Sequence, residues 1–339
     1  MVQSKKPRKS LLKKEFDVFR KTLKTKKRFV LTTHVNPDGD GIGSELALAA
    51  FLRRKGKQAR IINFSSTPSN YRFLDSKELV ETFNTDKHTP VLHQADVIVI
   101  LDTNHPDRLV AMKEPVLHSK AFKICIDHHL DPAEFADLYI IDEPSTATGE
   151  TVYRLLSFLD RRSITKEIAV LLYTAIMTDT GSFRYPKTDP EVHTIIAHLL
   201  KLGADPVNIY ENVYERGTAG RIKLLGQALA NLQLVHNGNV AYLTITQRML
   251  LDTGTTEADT DAFVPYTLSV NGVIIGMMFT ELADGLKINF RSKGDIRINE
   301  LAKEFGGNGH KNAAGARIYN AKLSDVLPRV IERSQAYVR

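Results

Sequence analysis

The stretch Thr33-His34-Val35-Asn36-Pro37-Asp38-Gly39-Asp40-Gly41-Ile42-Gly43-Ser44 decides how the chain is read. Before it, Phe29-Val30-Leu31 has the character of a buried strand, and after it Glu45 to Arg54, rich in Leu and Ala, has that of a helix. Asn36-Pro37 breaks the strand, and Gly39, Gly41 and Gly43 predict a tight turn whose backbone lies close to a ligand. His34, Asp38 and Asp40 then sit at the carboxyl end of a strand, where open α/β sheets hold their ligands. The glycines alone suggest a phosphate-cradling dinucleotide loop, but two carboxylates there repel phosphate unless cations lie between. His with two Asp is a donor set for a divalent metal, and a solvated acidic turn is the alternative on these residues alone.

Apolar runs at 29–34, 59–64, 96–102, 122–127 and 138–142 alternate with helix-like stretches. That predicts an α/β fold, a mostly parallel sheet with helices on both faces. Two later runs end on chemistry: the run from Asp96 to Leu101 enters Asp102, and Phe122 to Ile126 enters Asp127-His128-His129. A charged residue directly after a continuous apolar strand lies at the same sheet edge as His34. Helices are predicted at 146–160 and 164–178, the second closing on Asp179, whose charge opposes the helix dipole and so calls for an external partner such as a cation.

The formal net charge is +7, but residues 1–28 hold twelve Lys or Arg against Glu15 and Asp17, so the rest of the chain carries −3. Leu12, Phe16, Phe19 and Leu23 follow helical spacing, which predicts an amphipathic helix packed on the body behind a disordered tip at 1–9. The absence of Trp and the acidic body outside residues 1–28 argue against gripping long nucleic acid, which takes a long basic groove with stacking aromatics. The single cysteine, Cys125, excludes an internal disulfide and fits a reducing cytoplasm. No apolar run approaches a membrane span, and no secretory signal is visible.

The pattern divides the chain into a basic N-terminal extension (1–28), a first domain (29–188), a helical connector (189–235) and a smaller α+β domain (236–339). In the last, strand-like runs at 240–245, 273–279 and 286–290 accompany helices at 259–268, 298–305 and 321–336. Its distinctive loop is Gly306-Gly307-Asn308-Gly309-His310-Lys311-Asn312-Ala313-Ala314-Gly315, preceded by Arg291-Ser292-Lys293. Such a loop at a helix terminus exposes N–H groups to an anion, and with the acidic site of the first domain it suggests a cleft for a phosphorylated substrate.

His34, Asp38, Asp40, Asp102, His128 and Asp179 bring four carboxylate charges, which two divalent cations neutralise and one does not. Asp102, alone at a strand tip, is the natural bridge, with His34, Asp38 and Asp102 on one metal and Asp40, Asp102, His128 and Asp179 on the other. Imidazole and carboxylate without thiolate favours Mn²⁺, with Mg²⁺ or Co²⁺ as substitutes. Two such ions about 3.5–4 Å apart activate water for in-line attack at phosphorus, without a covalent Ser, Cys or Asp intermediate. Asp127 points away from His128 on an extended chain and is expected to orient a liganding imidazole. His129 is placed to hydrogen-bond the scissile phosphate or assist the leaving oxygen, a core histidine being the alternative. Arg184 is a candidate phosphate clamp or a solvated ion-pairing arginine. His88, His93, His105, His118, His193, His198 and His236 fit no ligand spacing and read as surface residues.

Asp127-His128-His129, together with His34, Asp38-x-Asp40, Asp102 and Asp179, resembles the DHH phosphoesterase superfamily. The Gly306–Gly315 loop with Arg291-Ser292 resembles its C-terminal substrate-binding domain, DHHA1. Within the superfamily, Asn36-Pro37-Asp38-Gly39-Asp40 and Thr178 to Arg184 resemble the bacterial nano-RNases. The resemblance implies an Mn²⁺-dependent exoribonuclease acting on very short oligoribonucleotides, with phosphatase activity on 3′-phosphoadenosine 5′-phosphate, and a homodimer. It carries Asp127 and His129 over as catalytic, and Arg291, Ser292, Gly307, Asn308, Gly309 and His310 as substrate-binding. Asn308 interrupts the family's usual glycine run, and Asn accepts positive φ more readily than other non-glycine residues. A phosphodiesterase of cyclic or linear dinucleotides is the runner-up. A catalytically silent nucleotide-binding regulator is the reading from another class, opposed by the intact ligand set.

Overall fold

The computed structural model describes residues 12–338, without the side chain of His310, and divides into two compact units, one ending at Arg216 and the other starting at Gly217. The tip at 1–9 lies outside the described residues. The stretch 189–235, read from the sequence as a connector, is shared between the units.

In the first unit, helix α1 (Lys13–Thr25) precedes strand β1 (Arg28–Thr32) and helix α2 (Gly39–Arg54). Phe16 and Phe19 of α1 are buried, and the Phe16 ring lies 5.6 Å from that of Phe158, so the basic segment is docked through its apolar stripe. There follow β2 (Gln58–Asn63), β3 (Val80–Thr82), α3 (Thr85–Gln94) and β4 (Val97–Leu101). Next come α4 (Lys113–His118), β5 (Phe122–Asp127) and β6 (Leu138–Ile141). The helices α5 (Thr148–Asp160), α6 (Lys166–Asp179), α7 (Pro190–Lys201) and α8 (Pro206–Tyr214) complete the unit.

All six strands are parallel, in the order β3-β2-β1-β4-β5-β6. Val97, Val99 and Leu101 of β4 face the core shared with Ile42, Val152 and Leu172, while Ile98 and Ile100 face the opposite core with Leu92, Leu109 and Val116. This period-two division explains why the central strands are continuously apolar, since both faces are covered. The chain leaves β1 in one direction across the sheet and returns through β4 in the other, opening a crevice between their carboxyl ends. His34 and Asp102 stand there.

The glycines predicted to form a turn instead lie in the first turns of α2, and none has positive φ. Their use is proximity. A Cβ on Gly39 would lie 2.6 Å from Thr178 Oγ1, one on Gly41 2.6 Å from Thr33 Oγ1, and one on Gly43 2.5 Å from the Leu171 carbonyl. Bare positions let α2 approach the end of β1 and the side of α6. The left-handed residue of the connection is Asn36, at φ 53°.

His88, read as a surface residue, is buried; its Nδ1 accepts from the Asn84 N–H at 2.8 Å and its Nε2 lies 3.2 Å from Glu81 Oε2. Folding back onto the start of its own helix satisfies it without a metal, a pairing that sequence spacing does not reveal.

The second unit begins with α9 (Ala219–Ala230), β7 (Gln233–Val235), β8 (Val240–Ile245) and α10 (Gln247–Thr253). It continues with β9 (Ile275–Leu282), β10 (Gly285–Ser292) and α11 (Ile298–Glu304). It ends with β11 (Asn308–His310), β12 (Ala313–Tyr319) and α12 (Leu323–Ser334). Its mixed sheet runs β11-β12-β10-β9-β8-β7, with only β8 and β9 parallel. The helix predicted over 259–268 is two 3₁₀ stretches, Glu257–Thr260 and Val264–Ser269, because Pro265 lacks the N–H that an α-helix needs.

Candidate metal centre

The centre grows from five element ends, three of them at the carboxyl edge of the first sheet. His34 follows β1, Asp102 follows β4, and Asp127 closes β5 ahead of His128 and His129. Asp38 caps α2, accepting from the N–H groups of Asp40 (3.0 Å) and Gly41 (3.2 Å), and Asp179 is the last residue of α6. His34, Asp40, Asp102, Asp127 and His128 are buried, whereas Asp38 is exposed. Asp102 holds a left-handed backbone, φ 58°, with its N–H given to the Ile126 carbonyl at 3.0 Å. A non-glycine residue there carries strain that the surroundings must hold, a common mark of working sites.

One atom each from His34, Asp38 and Asp102 lies within 4.8 Å of the others, and so do atoms of Asp40, His128 and Asp179. Asp102 reaches both groups: His34 Nε2 is 3.4 Å from its Oδ2, and His128 Nε2 is 3.8 Å from its Oδ1. His128 Nε2 also lies 3.3 Å from Asp179 and 3.8 Å from Asp40. A third overlapping group joins Asp102, Asp127, His128 and His129.

The electrostatics fit a cation-binding site. Burial pushes the Asp40 and Asp102 carboxyls well above the ordinary range, reinforced for Asp40 by the charge of Asp102 and for Asp102 by that of Asp38. Burial and the charge of Asp38 push Asp179 up to about 7. Burial lowers His34, and burial with the neighbouring His129 lowers His128 to about 4, so both imidazoles are neutral and have a lone pair to offer. Among the described residues, the ion-pair partners of Asp40, Asp102 and Asp179 are histidines alone. The charges of His129 and Lys187 offset only part of this crowding at Asp179, and buried carboxylates so placed favour a bound cation.

Asp127 and His129 form a separate pair. Asp127 Oδ1 lies 2.7 Å from His129 Nδ1 and accepts from the His128 N–H at 2.8 Å. Burial pushes the Asp127 carboxyl up, but the bond and charge of His129 more than offset it and hold the acid below its ordinary value. Burial opposes the charge on His129, and the Asp127 partnership outweighs it, so this histidine is raised. The imidazole that Asp127 orients is therefore His129; His128 Nδ1 instead lies 3.3 Å from the Ser145 carbonyl. Arg184 is exposed and donates to the Gly181 carbonyl at 2.8 Å.

Thr148 and Gly149, at the start of α5, carry no mark in the sequence beyond a Ser/Thr run after β6. The Thr148 N–H donates to Asp40 Oδ2 (2.6 Å) and the Gly149 N–H to Asp40 Oδ1 (2.8 Å), while Thr148 Oγ1 donates to Asp102 Oδ1 (3.0 Å). Thr148 thus fixes the spacing of two aspartates. Thr148→Val is expected to weaken Mn²⁺ binding by roughly tenfold, the effect typical of groups that hold metal ligands, and Thr148→Ser to restore it. Titration followed by the Mn²⁺ electron paramagnetic resonance signal checks this, and equal affinities for parent and valine variant contradict it.

In the second unit, the glycine loop differs from the anion-cradling turn expected at a helix terminus. It follows the C-terminus of α11 and forms a hairpin, with Asn308 opposite Gly315, Gly309 opposite Ala314 and His310 opposite Ala313. Its glycines serve close packing: a Cβ on Gly307 would lie 2.3 Å from the Gly315 carbonyl, and one on Gly309 2.4 Å from Ala314 Cα. Arg291 also pairs with Ala313, from the other side, so it shares a register row with His310. Ser292 is buried, giving its hydroxyl to the Ile296 carbonyl (2.8 Å) and accepting from Asn312 (2.9 Å).

Residues 28–176 match the family model described as DHH family, N-terminal domain, and residues 237–339 match that of the DHHA1 domain. The chain is 33% identical over 304 residues to the bifunctional oligoribonuclease and PAP phosphatase NrnA of Thermus thermophilus, covering 89% of this chain and 87% of the relative. It is 28% identical over 300 residues to the protein of the same name from Bacillus subtilis, covering 87% and 91%. A crystal structure of an exopolyphosphatase-related protein from Bacteroides fragilis matches with a TM-score of 0.92 at 32% identity, covering 95% of this chain and 97% of that one.

Proposed function

The chain belongs to the DHH family, with a DHHA1 domain following, and on that premise we propose that it is a two-metal phosphodiesterase degrading very short oligoribonucleotides to mononucleotides. Phosphatase activity on 3′-phosphoadenosine 5′-phosphate belongs to the same reading, in line with the names of the two relatives. The observation that carries it is the pair of three-residue ligand groups that both lie within reach of Asp102. His34, Asp38 and Asp102 would hold one ion, and Asp40, Asp102, His128 and Asp179 the other. Mn²⁺ suits these donors, with Mg²⁺ or Co²⁺ as substitutes. Bound there, the ions supply an activated water and neutralise charge at phosphorus.

The chain's own residues do the rest. Asp127 holds the His129 ring and raises its basicity, so His129 is the proton donor for the leaving oxygen. Arg291, Asn308 and His310 of the second unit are assigned to substrate. No described helix is long and apolar enough to cross a membrane, and the reading places the enzyme in the cytoplasm as a homodimer. The test is a product time course with Mn²⁺ on labelled oligoribonucleotides of two to about twenty residues, with bisphosphate nucleotide and cyclic dinucleotide alongside. Mononucleotide release is expected to be fastest on the shortest substrates. Turnover of the cyclic dinucleotide alone replaces this assignment, and no hydrolysis of any substrate refutes it.

A further inference from the structure

Arg108 stands in the 3₁₀ segment Pro106–Met112 that follows β4, and its carbonyl accepts the Val35 N–H at 2.8 Å, joining the loops after β1 and β4. Its Nη2 lies 2.9 Å from His34 Nδ1, and the same ring nitrogen lies 2.8 Å from the Val35 carbonyl. One nitrogen cannot serve both neighbours. With a proton it donates to Val35 and has no lone pair for the guanidinium; without one it accepts from Arg108 and gives Val35 nothing. The opposite nitrogen, Nε2, faces Asp102 Oδ2 at 3.4 Å, in the group formed with Asp38.

With a cation held at Nε2, the His34 ring would carry its proton on Nδ1 and donate it to the Val35 carbonyl. Arg108 then loses its acceptor. Among the described residues the His34 ring is the one hydrogen-bond partner recorded for its side chain, and no carboxylate pairs with it. A planar, permanently charged guanidinium released beside a cation-filled crevice has a natural ligand in a phosphate oxygen. We propose that Arg108 binds the substrate's phosphate and is freed to do so by cation uptake at His34, so that metal binds first and phosphate second. The proposal rests on the two-metal reading of the same site.

The test is binding, not turnover: calorimetry of adenosine monophosphate and of adenosine on the full chain, metal-free and Mn²⁺-loaded, for the parent, Arg108→Gln and Arg108→Lys. Mn²⁺ affinity is measured in parallel by electron paramagnetic resonance. On the loaded chain Arg108→Gln is expected to weaken the monophosphate by roughly tenfold or more, as for loss of a charge-assisted hydrogen bond, with adenosine unaffected and the lysine variant in between. Mn²⁺ affinity is expected to hold or tighten, because the competing donor to Nδ1 is gone. Equal monophosphate affinity in parent and Arg108→Gln overturns the assignment. A glutamine variant that loses Mn²⁺ and keeps the monophosphate makes Arg108 a prop for His34, which overturns it too. A parent chain that takes up no Mn²⁺ refutes the underlying two-metal reading, and that failure is seen before any nucleotide is added.

Discussion

Asp102→Asn is expected to lower kcat/KM on a short oligoribonucleotide by on the order of 10³-fold, the scale of losing a preorganised electrostatic group at the reacting centre. Among the described residues Asp102 is the one carboxylate within 4 Å of both His34 Nε2 and His128 Nε2, so in the proposed two-metal site its loss would touch both ion positions. Asparagine keeps the shape, tolerates the left-handed backbone at φ 58° and still accepts the Thr148 hydroxyl. The substitution also removes a charge whose burial is unfavourable in the metal-free chain, so Tm without metal is expected to hold or rise. Mn²⁺ stoichiometry should fall from two to one or none. More than a tenth of parent activity in a folded Asp102→Asn variant is incompatible with a bridging carboxylate.

Removing divalent metal is expected to abolish turnover completely, and Mn²⁺ to restore it, with a pH dependence that follows from the buried acids. Asp179 is held at about 7 and Asp40 and Asp102 well above their ordinary value, so near pH 6.5 the metal-free site keeps protons that an ion must displace. Mn²⁺ affinity therefore rises with pH, and calorimetry in buffers of different ionisation enthalpy should record more proton release at pH 6.5 than at pH 8.5. Stability of the metal-free chain runs the other way. The folded carboxyls keep protons that the unfolded chain has already lost near its own value of 3.8, so their contribution declines as pH rises through about 7. His34 and His128, lowered in the fold, act in the opposite sense around their unfolded value of 6.5 and have little left to add well above it, while His129, raised in the fold, loses its contribution as pH rises. Metal-free Tm is thus expected to fall between pH 6.5 and 8.5 and Mn²⁺ to reverse the fall. A pH-independent affinity without proton release contradicts the account.

The sheet of the first unit was legible because β1, β4 and, beyond Lys123, β5 are covered on both faces and so read as apolar runs, each followed by a residue that differs from the run. His34, Asp102 and Asp127-His128-His129 announced themselves by that change of character. β3 did not, since three residues, Val80–Thr82, are too short for any periodicity to register. β12 includes Ala313-Ala314-Gly315, a composition with little strand preference, and its pairing with β10 and β11 makes it a strand. The same pairing turned the glycine loop from an expected anion cradle into a hairpin. Thr148 and Arg108 were invisible for another reason: one acts through its N–H and hydroxyl, the other through a contact with a residue 74 positions away. Likewise Gly39, Gly41 and Gly43 were correctly singled out, but the need they meet is contact with Thr178, Thr33 and Leu171, not a turn.

The most direct measurement is anomalous diffraction at the manganese edge from crystals of the chain grown with Mn²⁺. Two peaks are expected about 3.5–4 Å apart, as in two-metal hydrolases, with a carboxylate oxygen of Asp102 bound to each. One would be bounded by His34 and Asp38, the other by Asp40, His128 and Asp179. A single peak, or two that do not share Asp102, contradicts the account.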